Sequence, residues 1–412
     1  MKPMRFLLWI VVATFLTTLF PDSSMAIPAF SRKYGTSCST CHYAYPRLNP
    51  FGRVFANNGY RMPGGDDAYI KDTPVSMGSD AYKQVFPDAI WPSDIPGGSV
   101  ASFRLIQRSH LTSKGTPRFQ FEAPHEFELL MGGTLGETFS FFGEVEIEND
   151  DELAYGFKLH YTPRNFFNLT VGNVDPMPIR EGLRLSREHY NYGDFRIASG
   201  GWRFRDEGAG MEVWGVGNGP GGKGGWQYAL GVANGAAGRV DVDNSKDTYA
   251  RLDYKFGGIG KRGGAQVELD QQQFWRDDSL TLGVFAYRGN QPVGTSRDGF
   301  HVVGTNWDLF YKDLNMFGTY MRQRDANPLA KNIPVTADVG FVEADWVAKP
   351  WIIPFVRYEL TNIDFKPNVR TVVPGAVVML RANIRLAFDG RIRGNRRTAG
   401  ADRYTFQLDF AF

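Results

Sequence analysis

The residues best suited to chemistry lie near the N-terminus, in the segment CSTCH from Cys38 to His42. It holds the only two cysteines of the 412-residue chain, and a histidine directly follows the second one. C-x-x-C-H is the pattern by which a chain attaches haem covalently. Two thiols bind the vinyl groups along one porphyrin edge, and the adjacent imidazole ligates the iron. The segment therefore predicts one haem c, held by Cys38, Cys41 and His42.

Other chemistries also use a C-x-x-C pair. A thioredoxin-like redox pair requires a strand–helix–strand context, which the flanking IPAFSRKYG and YAYPRLNPFG do not show. A zinc site needs about four ligands, and residues 27–100 offer only Cys38, Cys41 and His42. A small disulfide loop between the two cysteines, with an incidental histidine, is the remaining alternative.

The second axial ligand of the iron is less well defined by the sequence. Residues 27–100 contain no further histidine, but they contain Met62 and Met77. Pro63 follows Met62, as a proline often follows the ligand methionine of small soluble cytochromes, and a thioether ligand raises the potential of the iron. We therefore favour Met62. The alternatives are water, with both methionines in packing roles, or a histidine from the rest of the chain: His110, His125, His160, His189 or His301.

The first 26 residues have the three-part layout of a secretory signal peptide. Lys2 and Arg5 precede the apolar run Phe6–Phe20, and the small residues of Ser24–Ala26 follow it. The run is short for a membrane-spanning helix, which needs about 20 residues, so an uncleaved anchor is the weaker alternative. We expect a mature chain that begins near Ile27 and meets an oxidising, exported environment.

Composition narrows the class of the remaining chain. The net charge is only +2, which gives no indication of nucleic-acid binding. Aromatic residues make up 14% of the chain and glycine occurs 47 times, while the mean hydropathy is negative. Beyond residue 26 no apolar run is long enough for a membrane helix.

Many short segments alternate between apolar and polar residues, which is the period of a β-strand. The clearest is the C-terminal RYTFQLDFAF, whose aromatic and leucine residues fall on one face and whose polar residues fall on the other. Four further segments repeat the pattern: TFSFFGEVEIE, AYGFKLHYT, TYARLDYKF and VMLRANIRLAFDG. A soluble sandwich also alternates, but aromatic residues this dense on every strand are unusual there. Strands of about ten residues with apolar outer faces, charged inner faces and terminal aromatics describe a transmembrane antiparallel β-barrel.

Counting the predicted strand segments gives about 16 strands. Single-chain bacterial barrels use even numbers of strands. A barrel of this size encloses a lumen with room for a plug. The predicted strands are 102–111, 125–133, 138–148, 154–162, 166–174, 210–217, 226–234, 248–256, 264–270, 280–288, 301–311, 314–322, 338–348, 352–360, 377–389 and 404–412.

Two connecting segments carry unusual residues. The long stretch from Asp175 to Gly200 has three interpretations: it folds into the lumen, caps the mouth, or is a surface loop. The basic run GRIRGNRR, Gly390–Arg397, is either a contact for lipid phosphates or a solvated loop. The chain thus divides into a signal peptide (1–26), a monohaem c-type cytochrome segment (27–100) and a porin-like outer-membrane barrel (101–412).

The segment IPAFSRKYGTSCSTCHYAYPRLNPFGRVFANNGYRM, followed by such a barrel, resembles the fused monohaem cytochrome–porins of bacterial outer membranes. Their best-known members are iron oxidases. The resemblance implies haem attachment at Cys38 and Cys41 and axial ligation by His42. It further implies a haem in or at the pore, and electrons that pass from extracellular Fe(II), or another external redox partner, to a periplasmic cytochrome or similar carrier.

An electron conduit of this kind needs no acid or base at the substrate, because outer-sphere transfer moves one electron while the haem carries the chemistry. Carboxylates could hold Fe(II) transiently, since hard cations prefer oxygen ligands. The candidates lie in GEVEIENDDE, whose alternative role is an ordinary polar pore lining: Glu144, Glu146, Glu148, Asp150, Asp151 and Glu152. Three other functions stay open: a diffusion porin with a structural or sensory haem, a reductive conduit to an external acceptor, and a haem peroxidase.

Overall fold

The computed structural model of the protein describes residues 29–66, 68–71, 75–76, 84, 94–95, 100–148, 153–198, 201–206, 208–235, 244–264, 273–294, 296–394 and 400–411. Several predictions made above lie outside these residues. They are the signal peptide, Met77, the carboxylates 150–152, and residues 395–397 of the basic run.

Sixteen antiparallel strands form one closed barrel, as predicted, and the last strand pairs with the first. In chain order the strands are β1 Ala101–Thr112, β2 Phe119–Leu135, β3 Phe139–Glu148, β4 Leu153–Tyr161, β5 Asn168–Val174, β6 Gly208–Asn218, β7 Lys223–Asn234, β8 Lys246–Ile259, β9 Ser279–Val293, β10 Ser296–Tyr311, β11 Leu314–Asp325, β12 Val335–Trp346, β13 Ile352–Ile363, β14 Val369–Arg381, β15 Ile384–Arg393 and β16 Arg403–Ala411.

Two of the predicted strands differ from the structure. The prediction of one strand over 377–389 is wrong, because the chain turns at residues 382–383 and forms β14 and β15. The predicted strand over 264–270 lies almost wholly outside the described residues, and β8 pairs directly with β9 without it. The predicted total of sixteen therefore holds although these two assignments do not match the barrel.

Alternation decides which way each side chain points. In β16, Tyr404 and Phe406 face outward and are 36% and 47% exposed, whereas Thr405 and Gln407 face the lumen and are 3% and 0% exposed. The same division runs around the barrel. Exposed outer side chains include Phe103, Phe121, Tyr155, Leu252, Trp346 and Phe388, and buried inner ones include Arg104, Glu343, Arg357 and Asp389. The predicted arrangement, apolar outward and charged inward, is confirmed.

The barrel has two distinct ends. We call the end where β1 begins and β16 ends the terminal rim, and the opposite end the loop rim. Most connections at the terminal rim are short, such as residues 312–313 between β10 and β11. The longest connection of the loop rim runs from β5 to β6 over residues 175–207.

Described residues 29–71, which we call the N-terminal plug, fill the lumen at the terminal rim. They form helix α1 (Ala29–Tyr34), a 3₁₀ turn (Cys38–Thr40), a small hairpin (His42–Ala44 with Arg47–Leu48) and helix α2 (Pro50–Asn57). Side chains tie the plug to the wall. Lys33 Nζ donates to Thr134 Oγ1 at 2.7 Å, and Arg47 Nη2 donates to Asn315 Oδ1 at 2.9 Å. After the plug, the short strands Val75–Ser76 and Asp94–Ile95 pair with each other.

Residues 175–198 and 201–206, which we call the inner loop, enter the lumen from the loop rim. They contain a 3₁₀ turn (Glu181–Leu183) and a single helical turn, α3 (Asn191–Asp194). Asn191 Nδ2 donates to the carbonyls of Gly340 and Leu360 at 3.1 and 2.8 Å. Of the three interpretations of this stretch, folding into the lumen is the correct one. In the described part of the chain, no helix has the length and apolar character needed to cross a membrane.

Candidate functional site

The two cysteines lie on a short turn that the local sequence caps. In the 3₁₀ turn Cys38–Thr40, the Ser39 amide donates to Ser37 Oγ at 3.3 Å, and the Cys41 amide donates to the Cys38 carbonyl at 3.2 Å. Both thiols are free and partly buried. The turn therefore presents both sulfur atoms from one short stretch of backbone, as attachment to one porphyrin edge requires.

Asn49 binds this turn to helix α2. Its Nδ2 donates to the carbonyls of Ser39 and Thr40 at 3.0 Å each, and its Oδ1 accepts from the Gly52 amide at 2.8 Å as a helix N-cap. A Cβ at Gly52 would lie 2.1 Å from the Cys41 carbonyl oxygen, so only glycine permits this approach. Asn49 and Gly52 are thus part of the site, although the cysteine motif alone does not reveal them.

The ring of His42 is held by a backbone carbonyl of the plug. Its Nδ1 lies 2.9 Å from the Pro46 carbonyl oxygen, and an Nδ1–H bond to a carbonyl leaves the lone pair on Nε2. Burial lowers the pKa of His42 to about 4. The imidazole is therefore neutral near pH 7, which is the form that binds a metal.

Met62 lies in the apolar cluster against which Cys41 packs. The cluster consists of Tyr34, Phe51, Phe55 and Met62, and Met62 is 3% exposed. Asp66 holds the Met62 loop, because its carboxylate accepts from the Met62 amide at 3.1 Å and from Tyr34 Oη at 2.7 Å. The structure thus brings the predicted Met62 together with Cys41, which directly follows the 3₁₀ turn Cys38–Thr40. We call Cys38–His42 the attachment turn, after its predicted role.

The five other candidate histidines lie elsewhere. His160 is the nearest by contact, since its ring lies 5.5 Å from that of Tyr60, which packs on the cluster. His189 lies in the inner loop beside Arg205, while His110 and His125 lie near Glu122 on the wall. Ligation of iron by Met62 therefore stays a prediction.

These residues fit a c-type haem better than the alternatives. Burial raises the pKa of Cys41 to about 12 and also raises the pKa of Cys38, whereas redox-active cysteines lie in electropositive surroundings that lower it. Among the described residues, Cys38, Cys41 and His42 do not converge as three ligands of one metal ion. Two neutral thiols, a neutral imidazole and a buried thioether beside aromatic side chains suit a porphyrin.

A second cluster joins carboxylates of two neighbouring strands. Glu146 on β3, predicted from the sequence, meets Glu126 and Glu128 on β2, which the sequence analysis missed, and their ligand atoms all lie within 4.8 Å of one another. The register that pairs Glu128 with Glu146 creates the cluster. The alternating HEFEL of β2 is the sequence signal, but the strand partner is not visible in it.

Contacts connect this carboxylate cluster to His42. Arg104 Nη1 donates to Glu128 Oε1 at 2.6 Å. The Arg104 guanidinium lies 5.2 Å from the centre of the Tyr45 ring, whose centre is 5.4 Å from that of the His42 ring. Three successive contacts therefore join the carboxylates to the proposed iron ligand.

A cavity of about 230 Å³ lies between the plug, the inner loop and the wall from β4 to β11. Helix α2 borders it with Arg53, Ala56 and Asn57. Cys38, Cys41 and His42 do not line this cavity, so it is distinct from the attachment turn.

Known proteins resemble this chain in fold only. No protein-family model matches the sequence, and no curated protein matches it. The anion-selective porin from Comamonas acidovorans aligns over 78% of this chain and 100% of its own, with a TM-score of 0.54 and 10% identity. OmpF of Salmonella typhi, solved with daunomycin, aligns over 78% of this chain and 98% of its own, with a TM-score of 0.53 and 9% identity. The barrel therefore has the porin fold.

Proposed function

We propose that the protein is a cytochrome–porin fusion of a bacterial outer membrane. It would transfer one electron per cycle from extracellular Fe(II) to a periplasmic electron carrier. The observation that carries the proposal is the CSTCH turn, set with neutral His42 and buried Met62 in a plug inside a porin-type barrel. A barrel with an apolar outer face can cross a bilayer, and the plug fills its terminal rim.

The residues of the plug would hold and tune the cofactor. Cys38 and Cys41 would attach haem c, His42 and Met62 would bind its iron, and the haem would supply one-electron redox chemistry. Pro46 orients the His42 ring, and the Asp66 carboxylate holds the loop that carries Met62. A thioether ligand favours the reduced iron and raises its potential, which suits acceptance of electrons from Fe(II).

The barrel wall would bind the electron donor, Fe(II). The cluster of Glu126, Glu128 and Glu146 offers hard oxygen ligands for Fe(II) as substrate. Fe(II) would lose one electron there and leave as Fe(III). The contacts through Arg104 and Tyr45 to His42 make this cluster the described carboxylate group best connected to the attachment turn.

One observation favours a second function, a diffusion porin with a structural haem. The cavity between plug and inner loop is lined by charged side chains, as a solute path would be. Liposome swelling with sugars would support this function, and absence of swelling would favour the conduit. A reductive conduit would use the same residues with electrons in the opposite direction.

The decisive experiment is an anaerobic visible spectrum of the oxidised, purified protein before and after Fe(II) is added. We expect reduced c-type bands within mixing time. A haem that dithionite reduces and Fe(II) leaves oxidised would retain the cytochrome–porin and overturn the iron donor. Absence of covalent haem from the purified protein would overturn both the cytochrome–porin assignment and the iron donor.

Glu146→Gln and Glu126→Gln test the donor cluster separately. We expect each to slow reduction by Fe(II) roughly tenfold, which corresponds to about 1.4 kcal/mol, with reduction by dithionite unchanged. Asp253→Asn is the matched control, because this lumen carboxylate on β8 accepts from the neutral Asn306 amide. Equal rates in all three variants would remove the carboxylate cluster from the proposal.

A further inference from the structure

Strand β2 carries a bulge near the middle of its length. Opposite a step of two residues in β1, from Ile106 to Arg108, the register of β2 moves by four residues, from Glu126 to Glu122. Neighbouring side chains of a regular strand point to opposite faces, but His125 and Glu126 are both buried, at 9% and 7% exposure. Bulges redirect side chains, and this one places the His125 imidazole beside carboxylates of the lumen.

The His125 ring lies between two carboxylates. Its Nδ1 is 2.7 Å from Glu122 Oε2, and its Nε2 is 4.0 Å from Glu126 Oε2. Nδ1 and Glu122 Oε2 are both buried, yet neither atom forms a hydrogen bond with any described residue, although buried polar atoms normally do. Two donor atoms that bind one metal ion at about 2.1 Å each lie about 3 Å apart when they meet the ion at right angles. These two atoms therefore have the spacing of two ligands of one metal ion.

His110 on β1 faces the other oxygen of the same carboxylate. Its Nδ1 lies 3.6 Å from Glu122 Oε1, and its Nε2 lies 2.6 Å from Gln120 Oε1. An imidazole that donates Nε2–H to an amide oxygen keeps a lone pair on Nδ1. A lone pair that faces a carboxylate oxygen favours a cation at this point. In the described part of the chain, only the carboxylate cluster brings three such ligand atoms within 4.8 Å of one another, so the His110 ring would turn toward a bound ion.

Glu122 lies between the loop rim and the carboxylate cluster. Strand β2 begins at the loop rim with Phe119 and passes Glu122 before it reaches Glu126. The side chains of Glu122 and His110 are 18% and 14% exposed, so both are more accessible than Glu126. An ion that enters the lumen from the loop rim thus reaches Glu122 before the cluster.

We propose that Glu122 and His125 bind a divalent transition-metal cation, with His110 as a third ligand. Imidazole and carboxylate groups together suit zinc and iron. The identity of the natural ion as Fe(II) rests on the proposed function. In that function the site would receive Fe(II) and pass it along His125, whose second nitrogen faces Glu126 of the carboxylate cluster.

Calorimetric titration of the haem-loaded, full-length protein in detergent with Zn(II) tests the site without electron transfer, because Zn(II) has no redox chemistry. We expect saturable binding that His125→Gln weakens at least about tenfold, since loss of even an outer-shell partner of a metal ligand costs about 10–100-fold. His301→Gln is the matched control, because His301 is an exposed histidine on β10, and this variant should bind Zn(II) like the parent protein.

A variant that should gain affinity keeps the test decisive if His125→Gln folds poorly. Arg108 Nη1 lies 3.9 Å from Glu122 Oε2, beyond hydrogen-bonding distance, and Arg108 Nε donates to Gln407 Oε1 at 3.3 Å. This guanidinium would repel a cation bound at Glu122. Arg108→Gln should therefore bind Zn(II) several-fold more tightly than the parent protein, which a misfolded chain would not do.

Absence of saturable Zn(II) binding to the parent protein overturns the proposal. Equal affinities of the parent, His125→Gln and Arg108→Gln proteins also overturn it. Stopped-flow reduction of the haem by Fe(II) separates this site from the proposed function, and we expect His125→Gln to slow it with dithionite reduction unchanged. A parent haem that Fe(II) does not reduce, together with Zn(II) binding that depends on His125, would support the metal site and overturn the iron donor.

Discussion

The N-terminal plug and the inner loop both fill the lumen, but they are built differently. The plug has its own apolar cluster around Tyr34, Phe55 and Met62. It meets the wall through polar contacts such as Lys33 to Thr134 and through Tyr43 and Ala44, which join an apolar cluster of the wall. The inner loop has no separate core. Its aromatic side chains join the cluster of the wall, and the Tyr190 ring stacks on Phe341 with centroids 4.5 Å apart.

This difference in packing suggests different roles for the plug and the inner loop. A segment with its own core can orient a cofactor, because its geometry does not depend on each wall contact. A loop whose apolar side chains pack against the wall can narrow the lumen. It has no hydrophobic core of its own in which to hold a ligand. We therefore expect changes in the plug to alter redox properties, and changes in the inner loop to alter permeability.

The largest effect should follow from Cys38→Ala combined with Cys41→Ala. We expect complete loss of covalent haem, measured by haem staining after denaturing electrophoresis. The barrel should remain folded, since its closure by β16 and β1 involves neither residue, and heat-modifiable migration would show this. Ser39→Ala in the same turn is the control and should keep its haem. Haem staining that survives in the double variant would refute the attachment site.

Arg357→Met should release the inner loop. This guanidinium is 0% exposed, donates to the Glu188 carbonyl at 2.7 Å and pairs with Glu359 at 3.0 Å. Its removal abolishes the ion pair of the fully buried Glu343, whose carboxylate lies 3.5 Å from Arg357 Nη1, at a cost of about 3–5 kcal/mol.

Single-channel recording of Arg357→Met should show higher conductance, with the haem spectrum unchanged. Arg322→Met is the control, because its pair with Asp338 is at the surface, where water screens the two charges and the pair contributes little to stability. A changed spectrum with unchanged conductance would reverse our assignment of roles.

Acid should release the same loop through Glu188. Burial raises the pKa of this carboxyl, but the guanidinium groups of Arg403 and Arg391 outweigh burial and lower the pKa of Glu188 to about 2, from an ordinary value of 4.5. The stabilisation is therefore present above pH 4.5 and is lost as the pH falls through about 2. At 1.36 kcal/mol per unit it amounts to about 3 kcal/mol.

Conductance should accordingly rise between pH 4.5 and 2 and recover on neutralisation. Glu188→Gln should show the raised conductance at neutral pH and a weaker response to acid. The same acid response in Glu188→Gln as in the parent protein would exclude this carboxyl as the anchor.

Met62→Leu should have the smallest effect on stability and a specific effect on redox behaviour. A volume-conserving exchange typically costs below about 1.5 kcal/mol, but it removes the thioether, so the midpoint potential of the haem should fall. Met177→Leu in the inner loop, where Met177 is 1% exposed, is the matched control and should leave the potential unchanged. Equal potentials for both variants would remove Met62 as the axial ligand.

Much of the molecule follows from local sequence patterns. CSTCH predicts a haem site because its members are contiguous. Alternation predicts the strands because successive side chains of a strand point to opposite faces. Alternation did not predict the turn at Ala382 and Asn383. A two-residue turn keeps the alternation in phase, so β14 and β15 read as one strand over 377–389.

The sequence by itself determined features within single segments: the C-x-x-C-H spacing at Cys38–His42, the outward and inward faces of the strands, and the expected total of sixteen strands. Only the tertiary structure decided which segments meet. It placed Glu146 beside Glu126 and Glu128 and packed Met62 with Cys41. The physical reason is that strand register and packing in the lumen bring together residues that are far apart in the chain. The periodicity of one segment does not indicate which other segment it will contact.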